Sequence, residues 1–128
     1  MEFGIIIVDK KKRSITMAII DIEKVKEEII ERLKPLDPDK IILFGSYAYG
    51  TPNENSDIDL YVVTKDEFIP QSFKENNNLY LKASRLVRDM RQKYAIDLIV
   101  HTKTMSEKFK EINSSFSREL LSKGKVLL

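Results

Sequence analysis

Polar and apolar positions alternate through Ser56-Asp57-Ile58-Asp59-Leu60-Tyr61, and the run ends in Val62-Val63-Thr64. Alternation that closes on β-branched residues predicts a strand over 56–64. Lys40 to Phe44 is a shorter apolar strand closed by Gly45. Ala95 to Val100 alternates again, with Ala95, Asp97 and Ile99 on one face and Ile96, Leu98 and Val100 on the other. Helical periodicity fills the intervals. Asp21 reads as the N-cap of a helix carrying Ile22, Val25, Ile29, Ile30 and Leu33, stopped by Pro35 and Pro38. Gln71 to Tyr94 is the longest helix expected, with Phe73, Tyr80, Ala83, Val87, Met90 and Tyr94 at helical spacing and a polar Glu75-Asn76-Asn77-Asn78 near its start. Ser106 to Ser122 is helical in pattern, with a break expected near Asn113-Ser114-Ser115, then Gly124 as C-cap and a last strand over Lys125 to Leu128. Between the first two strands, Gly45 to Gly50 is a turn opening one helical turn, and Thr51 to Ser56 is a loop. The order α-β-turn-β-α-β-α predicts an α/β fold, an α+β mixed sheet with helices on one face. The other face, with Asp57, Asp59 and Asp97, would stay open to a ligand.

Length and composition narrow the class. A chain of 128 residues with 42% hydrophobic and 33% charged residues matches one globular domain rather than a disordered segment. That domain is placed at residues 21–128. Residues 1–20, with Ile5 to Val8 followed by Lys10 to Arg13, are read as a segment poorly tied to it. An edge strand, an expression artefact and a leader ahead of Met17 are the alternatives. The Lys10 to Arg13 run reads as solvated rather than as a nucleic-acid contact. A net charge of +2 gives no global basic field, so a nucleic-acid partner is not expected. With no cysteine, disulfides and thiolate metal sites are excluded. No apolar run is long enough to span a bilayer, and the apolar Ile5–Val8 precedes its lysines, unlike a secretory signal. A cytoplasmic location is the expectation.

The carboxylates carry the chemistry. Residues two apart on a strand share a face, so Asp57 and Asp59 project side by side, away from Ile58, Leu60 and Val62. At about 4 Å and an effective dielectric of about 20, two such charges repel by roughly 4 kcal/mol. A divalent cation is the simplest relief, and Mg²⁺ prefers carboxylate, water and phosphate oxygens. Asp97, on another strand, is the best third carboxylate. Gly45-Ser46 supplies a glycine for close backbone approach, a hydroxyl and N–H groups at a helix start, which suit a phosphate chain. Together these point to metal-assisted phosphoryl chemistry, in which two cations about 3.5–4 Å apart can stabilise entering and departing oxygens.

Gly45-Ser46, ten residues, Asp57-Ile58-Asp59 and a later strand with Asp97 resemble the DNA polymerase β-type nucleotidyltransferase superfamily. More narrowly, they resemble its minimal single-domain members, relatives of kanamycin nucleotidyltransferase, over roughly Asp21 to Val100. The resemblance implies a nucleotidyltransferase-like fold in which Gly45 and Ser46 bind phosphate. It implies that Asp57, Asp59 and Asp97 hold Mg²⁺, as two ions, with Asp97 as third ligand or base. It further implies ATP or another NTP as substrate. A small helical HEPN-type protein is the implied partner and acceptor, so that the chain acts like an antitoxin adding AMP to a hydroxyl.

The chain departs from the family at Tyr47-Ala48-Tyr49, where many members carry arginine. A lysine elsewhere would then serve the phosphates, and Lys65 and Lys103 follow the two aspartate strands. Packing is the expected role of Tyr47 and Tyr49, ahead of stacking on a base. His101 is expected at the surface. The alternatives are a non-catalytic binding module that neutralises a partner by contact, and a small-molecule adenylyltransferase of the antibiotic-modifying type. The last would need a homodimer to complete a substrate pocket.

Overall fold

A computed structural model of the chain describes residues 21–128 in full, and two strands before them by their backbone: β1 (Ile6–Val8) and β2 (Ile15–Met17). These two pair antiparallel, with Ile7 opposite Thr16. The Lys10 to Arg13 run lies outside the described residues, as does most of the 1–20 segment.

Helix α1 (Ile22–Leu33) starts where expected, with the Asp21 side chain accepting from Glu23 N–H at 3.2 Å. It ends in a 3₁₀ turn at Lys34–Leu36 containing Pro35. Strand β3 (Lys40–Phe44), the one-turn helix α2 (Ser46–Tyr49) and strand β4 (Ile58–Val63) follow. Helix α3 (Phe73–Leu86) starts at the Ser72 cap, which accepts from Glu75 N–H at 3.1 Å. It is shorter than the expected 71–94 helix. The chain leaves the helix at Val87 and re-enters the core at Met90 through a second 3₁₀ turn, Met90–Gln92. The Arg91 guanidinium folds back onto Ser84 Oγ and the Tyr80 hydroxyl, at 2.7 and 3.1 Å. Strand β5 (Ile96–His101) leads into α4 (Lys103–Ile112) and α5 (Ser115–Lys123). The break between these helices falls at Asn113, in the left-handed region at φ 54°, with Ser114 capping the next helix. Strand β6 (Lys125–Val126) closes the chain.

The main sheet has the order β5-β4-β3-β6. Strand β3 is antiparallel to β4 and β6, whereas β4 and β5 run parallel. The expected mixed α/β architecture is therefore present. One face packs Ile41, Leu43, Ile58, Leu60, Val62, Leu98 and Val100 against Val25, Ile29 and Leu33 of α1 and Leu79 and Ala83 of α3. The other face is more covered than expected. Ile42, Phe44, Tyr61, Val63 and Leu120 form a second buried cluster with Phe109 at its edge. Phe116 of α5 stacks edge-on to Phe44 at 5.8 Å. The cause is sequence-local: the residues that continue the Asp59 face of β4 are Tyr61 and Val63, which are apolar enough to draw α4 and α5 over them. Only the end of that face bearing the aspartates stays open.

Candidate active site

Asp57 precedes β4, Asp59 is its second residue, and Ile58 between them is fully buried on the opposite face. This is the alternation anticipated from the sequence. The parallel register sets Asp59 beside Asp97. As a result Asp57, Asp59 and Asp97 each offer a carboxylate oxygen within 4.8 Å of the others. Asp57 and Asp97 are exposed and Asp59 is half-buried. Asp59 is where the electrostatic cost collects. Burial pushes its pKa up from 3.8 to about 6, and the charges of Asp97 and Asp57 push in the same direction.

The Gly45 turn is built against this cluster. Phe44, the last residue of β3, pairs with Asp59, so the next residue passes directly beside its carboxylate. Gly45 adopts φ 77° and ψ −162°, and a Cβ there would fall on Asp59 Oδ2. Both the conformation and the space admit glycine alone. From this turn the Ala48 and Tyr49 N–H groups bond back to the Gly45 carbonyl at 2.9 and 3.0 Å. The N–H groups of Ser46 and Tyr47 are left at the open start of α2.

The structure thus brings together all five residues singled out from the sequence: Gly45, Ser46, Asp57, Asp59 and Asp97. It excludes the two lysines considered for the phosphates. Lys65 and Lys103 follow the C-terminal ends of β4 and β5, and the aspartates lie at the N-terminal ends. Because the strands are parallel, both lysines stand roughly 20 Å away along the sheet. Lys65 is moreover paired with Asp37 at 3.0 Å. Tyr47 is buried in the main core, as packing required. His101 is not the surface residue expected. It is half-buried, with Nδ1 2.8 Å from the Tyr61 hydroxyl and its ring edge-on to Tyr61 and Phe109. Burial lowers its pKa. Phe109 of α4 covers it from outside the sheet, and its ring meets Phe116 of α5 at 5.9 Å, so these two aromatic positions were the signal for helices packed on this face.

Three carboxylates that repel one another suit a hard divalent cation. The chemistry is given wider context by comparison with known proteins. Residues 27–128 match the family described as Polymerase beta, Nucleotidyltransferase. The chain belongs to that family. It is a nucleotidyltransferase. Two relatives from Methanocaldococcus jannaschii (strain ATCC 43067 / DSM 2661 / JAL-1 / JCM 10045 / NBRC 100440) carry the names "Putative protein adenylyltransferase MJ0141" and "Putative protein adenylyltransferase MJ0604". The first is 33% identical over 93 residues, covering 73% of this chain and 89% of its own length. The second is 35% identical over 88 residues, covering 69% and 76%. A solved toxin–antitoxin structure with AMP-PNP superposes with a TM-score of 0.54 at 25% identity, covering 80% of this chain and 72% of the other. No helix among the described residues is long and apolar enough to cross a membrane.

Proposed function

We propose that this nucleotidyltransferase moves AMP from ATP to a hydroxyl on a small helical HEPN-type partner protein, in the manner of an antitoxin. The observation that carries the reading is the convergence of Asp57, Asp59 and Asp97 within 4.8 Å beside the Gly45 turn. The protein-adenylyltransferase names of the two archaeal relatives and the toxin–antitoxin neighbour with AMP-PNP support the direction of transfer and the kind of acceptor.

In this reading Asp57 and Asp59 would hold Mg²⁺, expected as two ions, with Asp97 as the third ligand. Bound there, Mg²⁺ would supply charge stabilisation to the phosphoryl oxygens. Gly45 lets the backbone approach the phosphate chain, and Ser46 offers its hydroxyl and N–H to it. Asp97 accepts the proton of the attacking hydroxyl. The hydroxyl oxygen then bonds to the α-phosphorus as pyrophosphate leaves.

Calorimetric titration of ATP with and without Mg²⁺, on the wild type and Asp57→Asn, tests the site. Mg²⁺-dependent binding that disappears in the variant is the expected result. Intact-mass measurement of the partner after incubation with Mg·ATP then tests transfer. A partner that gains AMP with the wild type and not with Asp57→Asn agrees with the proposal. Neutralisation of the partner to the same extent without nucleotide would replace it with a contact-only module.

A further inference from the structure

From Gly45 to Tyr61 the chain has no lysine or arginine. Three carboxylates and a triphosphate nevertheless carry more negative charge than two divalent ions neutralise. The basic residues just ahead of Asp97 are engaged elsewhere: Arg91 with Ser84 and Tyr80, and Lys93 with Glu28 at 3.7 Å. A lysine lies near the turn on the β6 side of β3, away from the β4 and β5 strands that carry the aspartates. Strand β6 sets Lys125 opposite Leu43. Gly124 sits so close to β3 that a Cβ would press on the Ile42 side chain and the Leu43 carbonyl. Lys123 therefore stands at the Phe44–Gly45 end of β3. On α5 it follows the buried Leu120 by three residues and the half-exposed Phe116 by seven, which places it at the edge of the stripe that packs against the sheet. Its Nζ lies 5.9 Å from the centroid of the Tyr49 ring. Tyr49 packs against the cluster containing Phe44, and Phe44 pairs with Asp59. Among the described residues Lys123 makes no ion pair, and it is exposed.

We propose that Lys123, its ammonium steered by the face of Tyr49, binds the phosphate chain of the nucleotide on the side of the turn opposite the three aspartates. The assignment rests on the nucleotidyl-transfer reading above. A lysine on a flexible stem acts on phosphate as a point charge and needs no fixed fork geometry. An aromatic face beneath it restricts where that charge rests.

Calorimetry with Mg·ATP and with AMP on the wild type, Lys123→Met, Lys123→Arg and Lys125→Met tests it. Lys123→Met should weaken Mg·ATP binding roughly tenfold, as loss of a charge-assisted phosphate contact does, and should weaken AMP binding less. Lys123→Arg should retain most of the Mg·ATP affinity. Lys125 shares the face of Leu43, so Lys125→Met should leave binding within about twofold. Unchanged Mg·ATP affinity in a folded Lys123→Met would overturn the assignment, as would an equal loss in Lys125→Met. Absence of Mg·ATP binding by the wild type would instead overturn the nucleotidyl-transfer reading, and the assignment with it.

Discussion

Asp59 holds its proton up to about pH 6, whereas the same carboxyl in the unfolded chain releases it near 3.8. Between those values the folded state binds the extra proton, so the contribution of Asp59 to stability falls as pH rises and stays low above pH 6. His101 acts in the opposite sense. Burial lowers its pKa from 6.5, so the unfolded state takes up its proton first and stability falls as pH drops below that value. Comparing the wild type with Asp59→Asn cancels the histidine. In metal-free buffer at pH 7 the variant should be the more stable, by about 1 kcal/mol once solvent screening of a half-exposed carboxylate is allowed for. The gap should close towards pH 4, and melting curves across that range would show it. The same variant should lose AMP transfer; full transfer would sink the proposed roles. Gly45→Ala is the steric counterpart. It forces a Cβ onto Asp59 at a positive φ, and should cost about 1–3 kcal/mol in urea unfolding while weakening the metal site.

At the scale of elements, the stops that rest on side-chain chemistry were legible. Pro35 ended α1, Asn113-Ser114 separated α4 from α5, and Gly124 preceded β6. The end of α3 was not, because Val87 to Met90 contains neither glycine nor proline. What turns the chain there is the burial of both Val87 and Met90 in the main core, with Arg91 tied to Ser84 and Tyr80. Phe73, at helical spacing with the apolar positions of α3, is 83% exposed, whereas Leu79, 2% exposed, does the packing. The coverage of the second sheet face depends on α5, and Leu120 is its fully buried anchor. Leu120→Ala should destabilise the protein by about 2–5 kcal/mol. A urea midpoint unchanged from the wild type would show that α5 is not held in this way.

In the whole molecule, three negative side chains converge at one end of a sheet whose remainder is a hydrophobic core. A divalent cation that binds the folded state and not the unfolded one must raise the melting temperature with concentration. Mg²⁺ should therefore stabilise the wild type and have little effect on Asp57→Asn or Asp59→Asn in a thermal melt. The pairing of Asp57 with Asp59 followed from two-residue periodicity, and the Gly45-Ser46 turn from an apolar run ending in glycine. Both are properties of adjacent residues, so the amino-acid order sufficed. The approach of Asp97 to Asp59 and the placing of Lys123 beside Tyr49 depend on strand order and direction. Those follow from how apolar faces some forty residues apart pack together. Periodicity says which face a side chain takes; only the assembled sheet decides which other side chains it meets there.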